Sequence, residues 1–173
     1  MASEIISNGH FFSPSKGNLN LDEVIREIFG YMQEFPENQY EVVVGCDSPS
    51  SDKPFFPIAI VVLRVGFGGR FFLKKMQYPD SFLKRFANIN WKNRILQEVY
   101  LSCELALSLK EILEKENKLG LKYQFEYIHA DVGELGKTKE MVKEVVGLIK
   151  SNGFEPKIKP QSFAATVVAD RYT

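Results

Sequence analysis

The amino-acid sequence predicts an α/β domain with a mixed five-stranded sheet, helices on both of its faces and one leading helix. Apolar and β-branched runs alternate with helical stripes in the order β-β-β-α-β-α-β-α behind that helix. Short connections join the first three strands, as in an antiparallel meander, and helices separate the later ones. With 173 residues, 45% of them apolar, the chain is long enough for one domain with its own core.

The first half of the chain contains an arm, the leading helix and the meander. Residues 1–20 are predicted to be an arm, which is rich in Ser, Asn and Gly from residue 7 on, and residues 21–173 a single domain. The leading helix, at about 21–35, ends before Pro36, which cannot continue it. Strands follow at about 40–47, 56–65 and 70–78, and the glycines within residues 66–69 predict a hairpin turn between the last two.

The second half alternates helices with strands. A long helix is predicted at about 90–118 and ends at Gly120, whose backbone freedom suits a helix terminus. A strand at 123–131, a helix at 137–152 terminated by Gly153, and a short strand at 155–159 follow. Ser162 is predicted to cap a last helix. If the long helix is a right-handed crossover, the first and fourth strands lie parallel and adjacent.

Asp47 and Asp131 each end an apolar run that is predicted to be a strand. Because open α/β sheets bind ligands at the carboxyl ends of their strands, the two aspartates are expected to meet at that edge. A carboxylate at the end of a buried strand loses hydration and needs a compensating charge or hydrogen bond. The pair therefore marks a candidate site.

Two further acids interrupt helical apolar stripes. Glu98 falls between Ile95 and Ser102 on the stripe of the long helix, so it is predicted to face the sheet. An edge position from which Glu98 reaches water is the alternative. Asp170 follows the apolar face of the last helix, and a surface ion pair with Arg171 explains its position equally well.

Oxygen ligands suit Mg²⁺ and Mn²⁺, so a divalent cation would compensate the charge of these four carboxylates. Two ions about 4 Å apart would hold a scissile phosphate for in-line attack by water. Such a site needs acids and no nucleophilic Ser or Cys. The expected cofactor is therefore Mg²⁺ or Mn²⁺, with room for two ions.

A glycine turn follows Asp131. Gly133 and Gly136 enclose two residues, whereas a Walker A loop has four between its glycines, which argues against a nucleotide site of that type. Free backbone N–H groups at a helix start, with Lys137 beside them, favour an anion such as a substrate phosphate. His129 would share the strand face of Asp131, either in contact with the site or as a satisfied core residue.

Charge is unevenly distributed although the formal net charge is zero. Residues 1–50 carry two basic and eight acidic side chains, and residues 51–100 carry nine basic and three acidic ones. The basic run from Arg70 to Arg94 suits a phosphate backbone, or it is a solvated surface. Aromatic residues in this region are candidates for stacking on bases or for the core: Tyr78, Phe82, Phe86 and Trp91.

Cysteine usage and apolar segments bear on the compartment. Cys46 and Cys103 are too few for a disulfide framework and lack metal-finger spacing. The N-terminus has no signal-peptide pattern, and the longest apolar stretch, residues 55–63, is too short to span a membrane. These features predict a cytoplasmic protein without a membrane partner, and they leave its oligomeric state open.

Four ordered motifs resemble the YkuK-type family of uncharacterised bacterial proteins, which is classed as ribonuclease H-like. They lie at residues 45–48, 68–72, 131–139 and 158–171, and the similarity extends from about Phe11 onward. The resemblance implies an RNase H fold with sheet order 3-2-1-4-5. It also implies an Asp-Glu-Asp-Asp metal site, at Asp47, Glu98, Asp131 and Asp170.

The chain also departs from the ribonuclease H pattern. A histidine near the last acid, often seen in ribonucleases H, is missing here, and Lys157 and Lys159 are candidates to replace it. A substrate phosphate would contact some of the following residues: Gly133, Gly136, Lys137, Lys157 and Lys159.

The leading interpretation is a Mg²⁺- or Mn²⁺-dependent nuclease acting on RNA, DNA or a hybrid, with the 5′-phosphate and 3′-hydroxyl products that the resemblance implies. The alternative is a non-catalytic nucleic-acid or protein-binding module on the same fold, its acids paired with Lys137, Lys157 and Lys159. An ATPase of the related actin-like fold is disfavoured because 173 residues are too few for its two-lobed clamp.

Overall fold

A seven-stranded sheet forms the centre of the protein in a computed structural model, which describes residues 8–48, 55–76 and 91–169. The strands are β1 (Phe11–Ser13), β2 (Gly17–Leu19), β3 (Tyr40–Cys46), β4 (Phe56–Arg64), β5 (Gly69–Met76), β6 (Gln124–Ala130) and β7 (Glu155–Lys157). Their spatial order is β2-β1-β5-β4-β3-β6-β7. Strands β3, β4 and β5 are antiparallel neighbours, whereas β6 runs parallel to β3 and β7 parallel to β6.

The five predicted strands, β3 to β7, lie in the order 3-2-1-4-5, which confirms the predicted α/β class and its sheet order. The structure differs from the prediction by an additional hairpin, formed by β1 and β2 within the predicted arm. β1 pairs with the edge of β5 through Phe12↔Leu73. Phe11 is fully buried there. Strands of three residues are too short for alternation to distinguish them from a loop. The domain boundary at residue 20 stays a prediction.

Helices cover both faces of the sheet, as predicted. The α-helices are α1 (Leu21–Glu34), α2 (Trp91–Glu116) and α3 (Val142–Ser151), with a 3₁₀ helix at Lys137–Met141 and a π-helix at Ala164–Ala169. Buried residues of α1, α2 and α3 share one core, and the π-helix packs on the opposite face of the sheet. Of the helices described, none has both the length and the apolarity to cross a bilayer.

The π-helix approaches β3 closely at Gly45. A Cβ atom on Gly45 would lie 2.6 Å from the backbone N of Ala165 and 2.8 Å from the carbonyl carbon of Ala164. Glycine is therefore the residue that fits at this point of an otherwise β-branched strand. Its small size lets the C-terminal helix lie against the sheet two residues before Asp47.

Candidate functional site

Asp47 and Asp131 each follow the last residue of a strand. β3 ends at Cys46 and β6 at Ala130, and these two residues are partners in the parallel register. Because neighbouring strands are about 4.8 Å apart, the two aspartates leave the sheet side by side. Asp47 is 9% exposed, and the Asp131 side chain is 24% exposed. The structure thus places both predicted aspartates at the same carboxyl edge.

Glu98 reaches this edge from α2, on the α-helical face of the sheet. The residue is 5% exposed, as its place on the helical stripe predicted, so the alternative edge position in water is wrong. Its Oε1 atom accepts hydrogen bonds from the backbone N and the hydroxyl of Ser48, at 2.9 and 2.5 Å. The Ser48 amide also donates to Oδ1 of Asp47 at 2.9 Å. Ser48 therefore links the two carboxylates.

Burial raises the pKa of the Glu98 carboxyl well above its usual value, and the two hydrogen bonds from Ser48 partly oppose this. The negative charges of Asp47 and Asp131 raise the pKa of Glu98 further. Each added negative charge in a poorly hydrated pocket disfavours another. The three acids are thus one electrostatically coupled group.

The thiol of Cys46 lies beside this group. Burial raises its pKa well above the ordinary value, and the charges of Glu98 and Asp47 add to the effect. A thiol that stays protonated is a poor nucleophile. Cys46 is therefore not a candidate nucleophile at this edge.

Lys159 places a positive charge beside Asp131. Its Nζ atom lies 3.0 Å from Oδ1 of Asp131. The backbone N of Lys159 donates to the carbonyl O of Val132 at 2.8 Å, which fixes the segment against the end of β6. A Cβ on Gly133 would lie 3.2 Å from the Lys159 Cβ, so the glycine leaves room for the lysine stem.

The glycine turn after Asp131 differs from a phosphate loop. The N–H of Gly133 donates to the hydroxyl of Thr138 at 3.0 Å, so this amide is not free for an anion, contrary to the prediction. Gly136 has a φ of +85° and precedes a 3₁₀ helix of five residues, whose dipole is weaker than that of a long α-helix. Lys137 directs its Nζ over the Trp91 ring, 4.8 Å from the centroid.

Lys157 pairs with Glu41 and not with Asp47, Glu98 or Asp131. Its Nζ lies 3.7 Å from Oε1 of Glu41, near the other end of β3, and 4.0 Å from the ring centroid of Tyr127. Of the two lysines predicted to replace the missing histidine, Lys159 alone contacts one of the described acids Asp47, Glu98 and Asp131. Lys157 instead holds β7 against the neighbouring strands.

His129 supports the C-terminal helix. Its buried ring accepts, at Nδ1, a hydrogen bond from the backbone N of Ala164 at 3.1 Å and packs edge-on against Phe163. Burial lowers the pKa of His129 to about 4, and the charge of Lys157 contributes, so the ring is neutral. The interpretation of His129 as a satisfied core residue is closer to the structure. Its hydrogen bond to Ala164 also fixes the π-helix that leads toward Asp170.

Asp170 lies outside the described residues, directly after the π-helix. The helix that leads to it is anchored at Gly45 and at His129. The structure therefore places Asp47, Glu98 and Asp131 and leaves Asp170 as a prediction.

The predicted basic run is engaged mainly within the protein. Arg70 lies 3.7 Å from Glu27 and 3.6 Å from Glu34, and buried Lys74 donates to the carbonyl O of Asn8. Trp91 is partly buried against the core. The predicted phosphate contacts by Arg70 and Lys74 are therefore corrected to structural roles. Several other residues of the run lie outside the described part: Tyr78, Phe82, Lys84, Arg85 and Phe86.

Sequence reasoning missed two residues that shape the site, Ser48 and Gly45. Ser48 carries a local signal, because a serine directly after an acid at a strand end can hydrogen-bond carboxylates. Gly45 also carries one, because a glycine inside a strand often marks close backbone approach. Neither signal identifies the partner, which depends on the tertiary fold.

The donor chemistry of the site fits a hard divalent cation, since three carboxylates lie at one edge of the sheet and influence one another. Across residues 8–48, 55–76 and 91–169, no three His, Cys, Asp or Glu side chains are arranged to hold an ion. Glu98 is bonded to Ser48 and Asp131 to Lys159. Coordination by all three would require these acids to exchange their present partners.

Comparisons with known proteins show the family of the chain. The chain is 27% identical over 166 residues to the uncharacterized protein YkuK of Bacillus subtilis (strain 168), which covers 94% of this chain and 96% of the relative. No solved structure matches the chain significantly. The family profile described as ribonuclease H-like matches residues 23–173. The chain belongs to the ribonuclease H-like family.

Proposed function

We propose that this protein is a divalent-metal-dependent nuclease that hydrolyses phosphodiester bonds of nucleic acid. One observation carries the proposal: the buried carboxyl of Glu98 shares the Ser48 amide with Asp47, and Asp131 leaves the neighbouring strand at the same edge. Clustering of coupled, poorly hydrated acids is costly for stability and is typical of functional sites. Membership of the ribonuclease H-like family supports the same activity.

Asp47 and Glu98 would hold Mg²⁺ or Mn²⁺, with Asp131 and Asp170 as further ligands. A bound cation of this kind activates water for attack and neutralises charge on the transferred phosphoryl group. Hydrolysis forms a bond between the water oxygen and phosphorus and breaks the bond to the 3′ oxygen. The attacking water loses a proton to solvent, and the 3′ oxygen takes up a proton from solvent. The products are a 5′-phosphate and a 3′-hydroxyl.

The chain supplies positive charge next to this edge. Lys159 lies beside Asp131, and Lys137 and Lys92 flank the Trp91 ring at the start of α2. Ammonium groups near the acids would attract the phosphate backbone of RNA, DNA or a hybrid. A cytoplasmic location belongs to the same proposal, and the two buried, free cysteines are compatible with it.

Calorimetric titration with Mn²⁺ tests the proposal. The intact protein is expected to bind the ion, and Asp47→Asn and Asp131→Asn to weaken binding at least tenfold. Glu111→Gln, which alters an exposed acid on the same helix as Glu98, is the control and should bind as the intact protein does. Cleavage is then assayed on hybrids, single strands and junctions, with Asp47→Asn as the inactive control. Absence of Mn²⁺ binding by the intact protein would refute the proposal.

A non-catalytic binding module is the second candidate, and a specific observation favours it. Asp131 pairs with Lys159, and Ser48 donates to both Glu98 and Asp47, so all three described acids have partners within the protein. In such a module, nucleic acid or protein would bind without added Mn²⁺. Binding of an oligonucleotide that is unchanged by chelation and by Asp47→Asn would establish this alternative.

A further inference from the structure

Trp91 lies at the start of α2, beyond the carboxyl edge of the sheet. The helix runs from this edge to the opposite one, because Glu98 reaches Ser48 at the end of β3 and β6 begins soon after the helix ends. Trp91 precedes Glu98 by about two helical turns, which places the two residues on the same side of α2 and about 10 Å apart along its axis. The Trp91 ring therefore lies further out than the acids, on the side from which a substrate approaches them.

Two ammonium groups lie beside the Trp91 ring. Nζ of Lys137, from the turn that follows β6, is 4.8 Å from the ring centroid, and Nζ of Lys92 is 5.6 Å from it. Lys92 is paired with Glu140 at 3.2 Å. Lys137 is exposed and forms no ion pair within the part of the chain that the structure describes. Its charge is therefore available to a negatively charged ligand.

An aromatic ring with ammonium groups beside it matches the two parts of a nucleotide. The base stacks on the ring, and the phosphate attracts the lysine. Because neighbouring bases cover both faces of a base inside a duplex, stacking on a side chain selects bases that are unpaired. Trp91 packs partly against the core, which holds the ring in one place for such a contact.

We propose that Trp91 and Lys137 bind an unpaired nucleotide, so that the substrate is single-stranded nucleic acid. The inference rests on the proposed nuclease function and needs no bound cation. A stacked base binds a ring more strongly than an exposed ammonium group does, so the base displaces Lys137, whose ammonium group then contacts the phosphate. The bound base lies about three nucleotides from the acids, since a stacked strand rises about 3.4 Å per nucleotide.

Tryptophan fluorescence tests the inference, because Trp91 is the single tryptophan of the chain. The intact protein is titrated with oligothymidylate, with oligouridylate and with a paired duplex, in EDTA, which removes the cations that cleavage needs. At least one of the single strands is expected to quench the emission, with the Kd that fluorescence anisotropy of the labelled strand gives. The duplex should bind more weakly and leave the emission nearly unchanged. The two single strands distinguish DNA from RNA.

Three variants separate stacking from charge. Trp91→Leu should weaken single-strand binding by about fivefold to 150-fold, as the loss of one stacked base does. Lys137→Gln should reduce the slope of log Kd against log salt concentration by about 0.7, the value for one phosphate contact. Lys110→Gln is the matched control, because Lys110 lies 5.3 Å from the ring centroid of Phe154, toward the other end of α2, and it should bind as the intact protein does. Circular dichroism verifies that each variant is folded.

Several results would overturn the inference. Single-strand binding without a change in Trp91 emission, or with equal affinity in folded Trp91→Leu, shows that no base stacks on the ring and leaves the nuclease proposal standing. A duplex that binds as tightly, with the same quenching, shows that the nucleotide is not unpaired. If Trp91→Leu does not fold, an unchanged salt slope in Lys137→Gln contradicts the phosphate contact. If no nucleic acid binds in EDTA or in Mg²⁺, the proposed function fails as well.

Discussion

Ser48 donates two hydrogen bonds to one carboxylate oxygen of Glu98, from its backbone N at 2.9 Å and from its hydroxyl at 2.5 Å. This contact joins the end of β3 to the middle of α2 across fifty positions of sequence. It holds Glu98, the most buried of the three described acids, in one orientation beside Asp47. The contact explains how a carboxylate with a raised pKa is retained in the core.

Replacing Ser48 with Ala tests this contact. The variant loses the hydroxyl donor and keeps the backbone one, so we expect a loss of about 1–2 kcal/mol in the free energy of unfolding. Affinity for Mn²⁺ should also fall several-fold, since a carboxylate with fewer hydrogen bonds is harder to ionise. Urea denaturation and calorimetry measure the two effects. Ser151→Ala, on an exposed serine, is the control, and equal stability of the two variants would contradict the account.

Replacing Glu98 with Gln should stabilise the metal-free protein at neutral pH. The folded-state pKa of Glu98 is raised by burial and by Asp47 and Asp131. The folded protein therefore binds a proton that the unfolded chain releases, and stability falls as pH rises through the folded-state pKa. Gln removes this loss and can still accept from Ser48, so we expect a gain in the free energy of unfolding at neutral pH.

Thermal unfolding of Glu98→Gln over a pH series checks this expectation. The gain should shrink toward acidic pH, where Glu98 itself is neutral. Glu111→Gln is exposed on the same helix and should show no such trend. Added Mn²⁺ should stabilise the intact protein but not Glu98→Gln. A variant less stable than the intact protein at neutral pH would contradict the described electrostatics.

Replacing Gly45 with Ala should displace the C-terminal helix. The new Cβ would lie 2.6 Å from the backbone N of Ala165, and backbone cannot move aside as a flexible side chain does. Overpacking of this kind costs about 1–3 kcal/mol. Gly147→Ala in α3 is the control, because a Cβ at Gly147 meets nothing within 4 Å. This variant should gain up to about 1 kcal/mol in the free energy of unfolding. Chemical denaturation distinguishes the expected loss of stability in Gly45→Ala from the expected gain in Gly147→Ala.

His129 gives the protein a pH dependence below neutrality. Its folded-state pKa is lowered from 6.5 to about 4, so between these values the unfolded chain binds a proton that the folded protein does not. Stability should therefore fall as pH is lowered through this window, by roughly 3 kcal/mol at most. His129→Asn removes the titrating group and keeps an acceptor near the Nδ1 position, so its curve should be flatter there.

Hydrogen exchange at the Ala164 amide separates the acceptor role of His129 from its packing. Protection should persist in His129→Asn and drop in His129→Leu, which has no acceptor. Equal protection in the two variants would show that the hydrogen bond does not hold the π-helix.

Much of the fold could be predicted because its main elements are long and periodic. The alternating and apolar runs of β3, β4 and β6 and the stripe of α2 span seven or more residues each, enough for a period to emerge. The β1–β2 hairpin was missed because each strand has three residues. The last helix was predicted without its type, and the structure shows a π-helix at Ala164–Ala169.

The acids of the candidate site could be predicted from the sequence, whereas the residues that they contact could not. Asp47 and Asp131 end apolar runs, and Glu98 interrupts a helical stripe, so local pattern identifies all three. The choice of Lys159 over Lys157 could not be predicted, since both lie near the end of the same strand. Only the tertiary structure directs one toward Asp131 and the other toward Glu41.

The most direct measurement of the central claim is anomalous diffraction from crystals of the intact protein soaked in Mn²⁺. The account predicts manganese density within about 2.1 Å of carboxylate oxygens of both Asp47 and Glu98. Crystals of Asp47→Asn, soaked alike, should lack that density. No manganese at the carboxyl edge of β3 and β6, or manganese bound only elsewhere, would contradict the claim that these acids form a metal site.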